Sequence, residues 1–400
     1  MDPIRNPFAP GAGTPPPALV GREEILKNAE IAFARVRDKR PAKSFLLIGL
    51  RGVGKTVLLN RLEGLAEHIG YRALSIEAPE NKRLPALLIP PLRQLLFLLD
   101  RYENLSERVK RALRILKSFA KSVKFKVGNV DIGIDIDPES GSADSGDLEA
   151  DLPVLLVAVA EAAQARGIPV AIFIDEMQYL TESELSALIM AIHRIVQQQL
   201  PFLLVGAGLP QLVGLTGKSK SYAERLFDFP EVGALRVADA REALQKPVQK
   251  EGVAFDQGAL DEIIRITQGY PYFLQEWGYH TWNAAMASPI TLDTLRSAQN
   301  TVIQRLDESF FRVRFDRLTP REKDYLRAMA ELGPGFHRSG DIADMLGINV
   351  RSAAPLRNGL IKKGMIYSPA HGDTAFTVPL FDQFMKRIMP SWRSKPAPVS

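Results

Sequence analysis

Gly49-Leu50-Arg51-Gly52-Val53-Gly54-Lys55-Thr56 decides the fold of this chain. The stretch fits the pattern G-x-x-x-x-G-K-[ST], in which glycines let backbone N–H groups curl around phosphate oxygens. It also lies where such a loop must lie. Phe45-Leu46-Leu47-Ile48 before it is a continuous apolar run that predicts a buried strand, and Lys55 to Ile69 after it has the spacing of an amphipathic helix. The helix N-terminus adds positive potential beside the loop. Lys55 is then placed to reach the β- and γ-phosphates, and Thr56 to hold Mg²⁺. Gly49, Gly52, Val53, Gly54, Lys55, Thr56 and the following Val57 therefore form the predicted nucleotide-binding run, with ATP and Mg²⁺ as its ligands. The alternative is a Gly-rich strand–helix turn that merely contains Lys-Thr.

A second stretch has the matching chemistry. Val170-Ala171-Ile172-Phe173-Ile174-Asp175-Glu176 is an apolar strand ending in two acids. A strand buried on both faces tolerates carboxylates only at its C-terminal end, where parallel sheets bind ligands. Asp175 is placed to orient Mg²⁺, directly or through water. Glu176 is placed to polarise an attacking water. Phe202 to Val205 predicts another buried strand, and a helix is expected over about 182–199. Strands alternating with helices imply a parallel sheet covered on both faces, so the fold class is α/β.

Composition sets the bounds. Four hundred residues, nearly half hydrophobic, suggest two or three domains with ample core. The absence of cysteine excludes disulfides and thiolate metal sites and suits a reducing, cytoplasmic setting. Five scattered histidines have no ligand spacing. Leu84 to Leu99 is apolar but interrupted by Pro90-Pro91 and Arg93-Gln94, which favours a buried helix over a membrane span. The net charge of +5 is uneven. Residues 312–400 hold 15 Lys/Arg against 8 Asp/Glu, while the rest of the chain is slightly acidic. A basic C-terminal part suggests an anionic partner, with double-stranded DNA the leading candidate.

Charge is also segregated internally. Residues 108–130 contain eight basic side chains and no acid, and residues 131–151 eight acids and no base. Val123 to Ile136 alternates with period two around Gly128-Asn129, which predicts a β-hairpin, followed by a flexible acidic loop near 137–147. Internal neutralisation is the preferred reading; a masked basic surface is the alternative.

The C-terminal region has its own pattern. Asp341 to Leu346 predicts a short helix stopped by Gly347. Ser352 is a candidate cap for a second helix, which puts Pro355 in the first turn and ends the helix at Gly364. Met365 to Tyr367 and Ala375 to Val378 then flank His371-Gly372-Asp373 as a hairpin. Two helices followed by a hairpin is the winged-helix plan. Its second helix would enter a major groove, with Arg351 and Arg357 facing DNA and Lys362 and Lys363 near phosphates. A winged helix that makes protein contacts only remains open.

With these motifs the chain resembles an AAA+ ATPase of the replication-initiator (origin-recognition) clade and its relatives among the STAND signalling ATPases. The resemblance covers most of residues 18–390 and rests on further segments. Val20-Gly21-Arg22-Glu23 is similar to the segment that packs beside the adenine in these families. Ser221 to Phe227 lies where the clade has its arginine finger, which implies that Arg225 reaches the γ-phosphate of a neighbouring subunit in a self-associated form. Gly269-Tyr270-Pro271 is similar to the G-x-P turn of the helical lid, whose Pro271 position approaches the nucleotide. Gly206-Ala207-Gly208, after the strand Phe202–Val205, departs from the pattern, since many relatives have a polar sensor side chain there. That departure, and a lid without an obvious sensor arginine, favour a slow, switch-like hydrolase.

The expected organisation is an extended Pro-rich arm over 1–18, an ATPase core over 19–238 with an inserted helix and hairpin at about 100–150, a helical lid over 239–311, a winged helix over 312–390 and a tail over 391–400. The expected function is an ATP-dependent, slowly hydrolysing molecular switch associated with DNA and not with membranes. A STAND-type signalling switch whose winged helix never meets DNA, and a non-hydrolysing nucleotide-binding scaffold, are the alternatives.

Overall fold

The apolar runs around the phosphate loop pair side by side. In a computed structural model, which describes residues 1–11, 13–100, 105–123, 137–370 and 372–394, five parallel strands form one sheet. They are β1 (Ser44–Ile48), β2 (Arg72–Glu77), β3 (Val170–Asp175), β4 (Phe202–Gly208) and β5 (Phe227–Asp228), in the order β2-β3-β4-β1-β5. β1, β3 and β4 are buried along their whole length, as expected for inner strands of an α/β sheet. The register aligns Ile48 with Gly208, Ile174 with Gly206 and Glu77 with Asp175. The C-terminal ends of β1, β3 and β4 therefore come level at one edge, where the phosphate loop and the two acids emerge.

Period-two alternation assigns each strand residue to a face. Phe45 and Phe173 meet Phe33 of α1 (Glu23–Arg37), with ring centroids 5.9 and 6.4 Å from it. Leu46, Ile48, Ile172, Ile174 and Leu204 join a different cluster. That cluster also takes in α3 (Leu84–Leu99), α4 (Glu107–Ser122), α5 (Leu148–Arg166) and α6 (Glu182–Gln197). α2 (Lys55–Ile69) follows the loop, and α7 (Gln211–Ser219) and α8 (Ala223–Leu226) precede β5. Each fully buried Leu, Ile or Phe stabilises such a core by about 1.5–3 kcal/mol. α3 is a buried helix despite its internal Pro90 and Pro91, and among the described residues no helix is long and apolar enough to cross a membrane.

Of the hairpin expected over Val123 to Ile136, residues 124–136 lie outside the described residues, and Val123 caps the end of α4. The acidic loop after it is tied down in the structure. Glu139 pairs with Arg111 at 3.3 Å and Arg114 at 3.8 Å, and its carbonyl accepts from Ser118 Oγ at 2.8 Å. Asp151 accepts from Ser145 and Gly146 backbone N–H groups. Arg108 and Arg111 also pair with Glu161 on α5. The basic face of α4 is thus partly neutralised within the chain.

The chain divides into two compact units. One holds Arg22–Gly49 and Lys55–Val232; the other holds Met1–Gly21, Leu50–Gly54 and Gly233–Ser400. The second unit contains α9 (Val237–Lys250), α10 (Gln257–Thr267), α11 (Pro271–Ala284) and α12 (Leu292–Arg305). α12 runs through a π-helical turn, Leu306–Phe311, into α13 (Arg312–Phe315), so residues 311 and 312 sit within one helical run. The Pro-rich arm has little regular structure of its own, but it is docked. Phe8, 3% exposed, packs on Gly278, where a Cβ would come 2.6 Å from its ring. Asn6 Nδ2 donates to the Tyr279 carbonyl at 2.9 Å, and Trp282 Nε1 to that of Asp2 at 3.0 Å.

The C-terminal region has α14 (Pro320–Leu332), α15 (Ser339–Leu346), α16 (Val350–Lys362) and α17 (Phe381–Ile388) around a three-stranded antiparallel sheet. Its strands are β6 (His337–Arg338), β7 (Ile366–Tyr367) and β8 (Asp373–Phe376), in the order β6-β8-β7. Gly347 stops α15 in a left-handed conformation, as expected. α16 begins earlier than expected. Its cap is Asn349, whose Oδ1 accepts from Arg351 N at 2.8 Å, and not Ser352. Pro355 consequently lies inside the helix and not in its first turn.

Candidate functional site

β1 delivers the phosphate loop and β3 delivers the acids because both are apolar until their last residues. Lys55, the first residue of α2, is 7% exposed, and its Nζ donates to the Gly49 carbonyl at 2.9 Å. Thr56 Oγ1 donates to Asp175 Oδ2 at 2.6 Å. Asp175 is 8% exposed. Burial pushes its carboxyl above the ordinary carboxylate range, against the opposing pull of Thr56, the Glu176 N–H and Lys55. The Thr56 hydroxyl and the Asp175 carboxylate are hard oxygen donors beside each other, a set that suits Mg²⁺. Glu176 follows in the left-handed region, φ 54° and ψ 37°, an uncommon state for a residue with a side chain. Its backbone N–H donates to Asp175 Oδ1 at 2.8 Å.

The loop glycines are needed where the backbone turns. Gly52 and Gly54 have φ of +80° and +89°. A Cβ on Gly54 would meet nothing within 4 Å, so its conformation and not crowding selects glycine. Gly49 N donates to the Gly208 carbonyl at 3.1 Å, which fixes the start of the loop to the end of β4. Val53 is buried and Val57 half-buried on α2. Arg22 is buried at the start of α1.

Loop residues 50–54 have their partners in the second unit. The Arg51 carbonyl accepts from the Tyr270 hydroxyl, and the Gly52 carbonyl from Tyr272 N at 3.2 Å. Arg51 N donates to the Thr377 carbonyl at 3.3 Å, and Arg51 Nε to that of Gly364 at 3.4 Å. Gly269 has φ +71° and accepts from Leu235 N at 2.9 Å; Pro271 opens α11. Val20 is buried in this unit, and a Cβ on Gly21 would fall 2.9 Å from the Asp239 carboxylate. Tyr272 stacks on Phe310 at 4.4 Å, and helical spacing alone gives no sign that Tyr270 and Tyr272 also bond loop carbonyls.

The structure does not bring every expected residue together. Arg225 stands exposed on the short α8, just before edge strand β5. Arg351 and Lys362 are exposed on α16. Arg357 turns inward instead of facing outward: its guanidinium donates to Thr374 Oγ1, Ser368 Oγ and the Asp373 carbonyl at 2.7–3.0 Å. Lys363 pairs with Glu322 at 2.7 Å and donates to the Arg317 carbonyl. Both satisfy partners inside their own region because the sheet and α14 offer acceptors within reach. The His193 and Tyr222 rings lie tilted to each other with centroids 4.5 Å apart, ahead of α8.

Residues 18–205, which hold the loop, Thr56, Asp175 and Glu176, match the family described as AAA ATPase domain. The segment is similar to AAA ATPase domains, and its parallel sheet fits the α/β P-loop NTPase fold. Residues 308–385 match a second family, described only as a domain of unknown function (DUF8462). No curated protein sequence matches the chain. Among solved structures, a Walker-type ATPase of Pyrococcus abyssi is similar with a TM-score of 0.55 at 17% identity, over 92% of this chain and 96% of that one. That likeness supports the same α/β fold around the ATPase domain. Looser matches are Orc1 of Aeropyrum pernix in complex with DNA (TM-score 0.47, 16% identity, 96% of each chain) and the RuvB branch migration motor of Thermotoga maritima (0.45, 16%, 89% and 92%).

Proposed function

We propose that the chain is an ATP-dependent molecular switch that binds ATP with Mg²⁺ and hydrolyses it slowly. The observation that carries this reading is the Thr56–Asp175 pair, 2.6 Å apart, with Lys55 beside it and Glu176 next in sequence. Thr56 and Asp175 would hold Mg²⁺, which supplies charge neutralisation at the phosphates. Lys55 would exchange the Gly49 carbonyl for phosphate oxygens. Glu176 would accept a proton from the attacking water. Lys55 and Thr56 already hold partners that must be exchanged for the nucleotide and its metal, which favours slow turnover. Arg225, exposed on α8, is proposed to act on the nucleotide of a second copy, and α9–α12 to serve as a lid through Gly269 and Pro271.

For the C-terminal region, a winged-helix reading is supported by α15, α16 and the sheet β6-β8-β7. Its excess of basic residues supports double-stranded DNA as a partner, through Arg351 and Lys362 on α16 and with lesser parts for Arg357 and Lys363. A specific observation favours the signalling alternative. Arg51, a phosphate-loop residue, bonds the Gly364 and Thr377 carbonyls of the C-terminal region. On that reading the region reports loop state by contact with protein. DNA binding measured by gel shift at several salt concentrations, in ATP and in ADP, separates the two. Salt-dependent retardation supports DNA association. Its absence in both states, with ADP release accelerated several-fold in Arg51→Ala, supports the protein-contact switch.

A further inference from the structure

The ATPase domain lacks a polar side chain on β4 at Gly206, Ala207 and Gly208, and the structure shows what fills that space. A Cβ on Gly206 would collide with Met177 Sδ and Leu46. A Cβ on Gly208 would lie 3.0 Å from Gln178 Oε1 and 2.8 Å from Leu212. The two glycines therefore make room for side chains of the turn after Glu176. Gln178 Oε1 accepts from the backbone N–H of Leu209 at 3.1 Å, and Gln178 Nε2 donates to Glu176 Oε2. The amide orientation follows from chemistry: the Leu209 N–H can only donate, so the amide oxygen faces it. The NH₂ is then left for the Glu176 carboxylate, which only accepts when ionised.

We infer that Gln178 is the positioning residue for Glu176, supplying from the β3 side the polar group that β4 lacks. This rests on the proposed role of Glu176 as the water-polarising base. The bonds form a chain. Gly49 N, the first residue of the phosphate loop, donates to the Gly208 carbonyl; the next residue, Leu209, donates to Gln178; and Gln178 donates to Glu176. The carboxylate is thereby held in register with the start of the loop. The left-handed turn at Glu176 lets the side chain two residues later fold back onto it.

The test compares Gln178→Glu and Gln178→Met in the full chain, with kcat and KM for MgATP and the melting temperature of each. Gln178→Glu keeps an acceptor for Leu209 N–H but loses the donor to Glu176; Gln178→Met loses both. The expected result is a fall in kcat of about 10- to 100-fold in both, with KM unchanged within about twofold. In a Glu176→Gln background, neither substitution lowers kcat further, because the residue acts through Glu176. A Gln178→Glu protein with wild-type kcat would show that Gln178 only anchors Leu209, and would overturn the proposal. So would an independent loss in the Glu176→Gln background. If Glu176→Gln itself retains wild-type kcat, the base assignment fails first and the positioning role falls with it.

Discussion

The C-terminal edge of the parallel sheet and the small C-terminal sheet treat their polar side chains in opposite ways. At the first, Lys55 bonds the loop, Asp175 accepts from Thr56 and the Glu176 N–H, and burial pushes the Asp175 carboxyl up. At the second, Arg357 donates three bonds to β8 and the turn before it, and Lys363 and Glu322 close on each other at 2.7 Å. Removing one member of a paired, buried charge destabilises a fold, while charged groups gathered at a sheet edge with a shifted carboxyl mark a candidate ligand site. Charge composition alone does not separate these cases: both regions have basic residues, but only a structure shows which are engaged.

Substitutions can break that comparison, beginning with the largest effect. Lys55→Ala should weaken ATP binding by about 100-fold, the loss of a charge-assisted phosphate contact. Calorimetric titration with MgATP checks it. Unaltered affinity would remove the phosphate-loop reading. In the other region the sign reverses. Arg357→Ala should cost about 1–3 kcal/mol of stability by removing three hydrogen bonds, one of them to the buried Thr374 hydroxyl, whereas Arg351→Ala, exposed on α16, should cost under about 0.5 kcal/mol. If DNA is the partner, Arg351→Ala instead lowers the salt slope of binding by about 1. Equal stability losses in the two variants would erase the distinction.

The pattern of what was legible follows the range of the forces involved. β1, the phosphate loop and α2 were read within a residue or so, because an apolar run, glycines with positive φ and helical periodicity are all local. The pairing of Thr56 with Asp175 was implied by motif logic, although 119 positions separate them. β4 runs on through Gly206–Gly208, against the ordinary depletion of glycine in strands, because Met177 and Gln178 need the space. That requirement is written in a different segment. The same is true of Phe8 on Gly278, of the inward turn of Arg357 and of the two-residue strands β5 and β6. Asn ranks with Ser as a helix cap, so Asn349 is an equally legible start for α16; Pro355, common in a first turn, favours a later one.

A smaller effect sharpens the account of the C-terminal region. Burial raises the Glu322 carboxyl, but Lys363 and the Thr319 backbone and hydroxyl outweigh it and hold the group below its ordinary 4.5. A lowered folded-state value means that the contribution to stability is present above about pH 4.5 and is lost as pH falls through the folded value. Glu322→Gln should therefore destabilise the chain by about 1 kcal/mol at pH 7, with the difference from wild type closing below about pH 4.5. Melting curves across pH measure this directly, and a gap that persists at low pH would point to packing in place of charge.

The central claim is that the sheet edge hydrolyses the ATP it binds. It is tested most directly by a single-turnover measurement of phosphate release from preloaded MgATP, comparing wild type with Glu176→Gln. The account predicts slow release from wild type and, in Glu176→Gln, a rate lower by about 100-fold or more with ATP still bound. Release at the same rate from both proteins would contradict it.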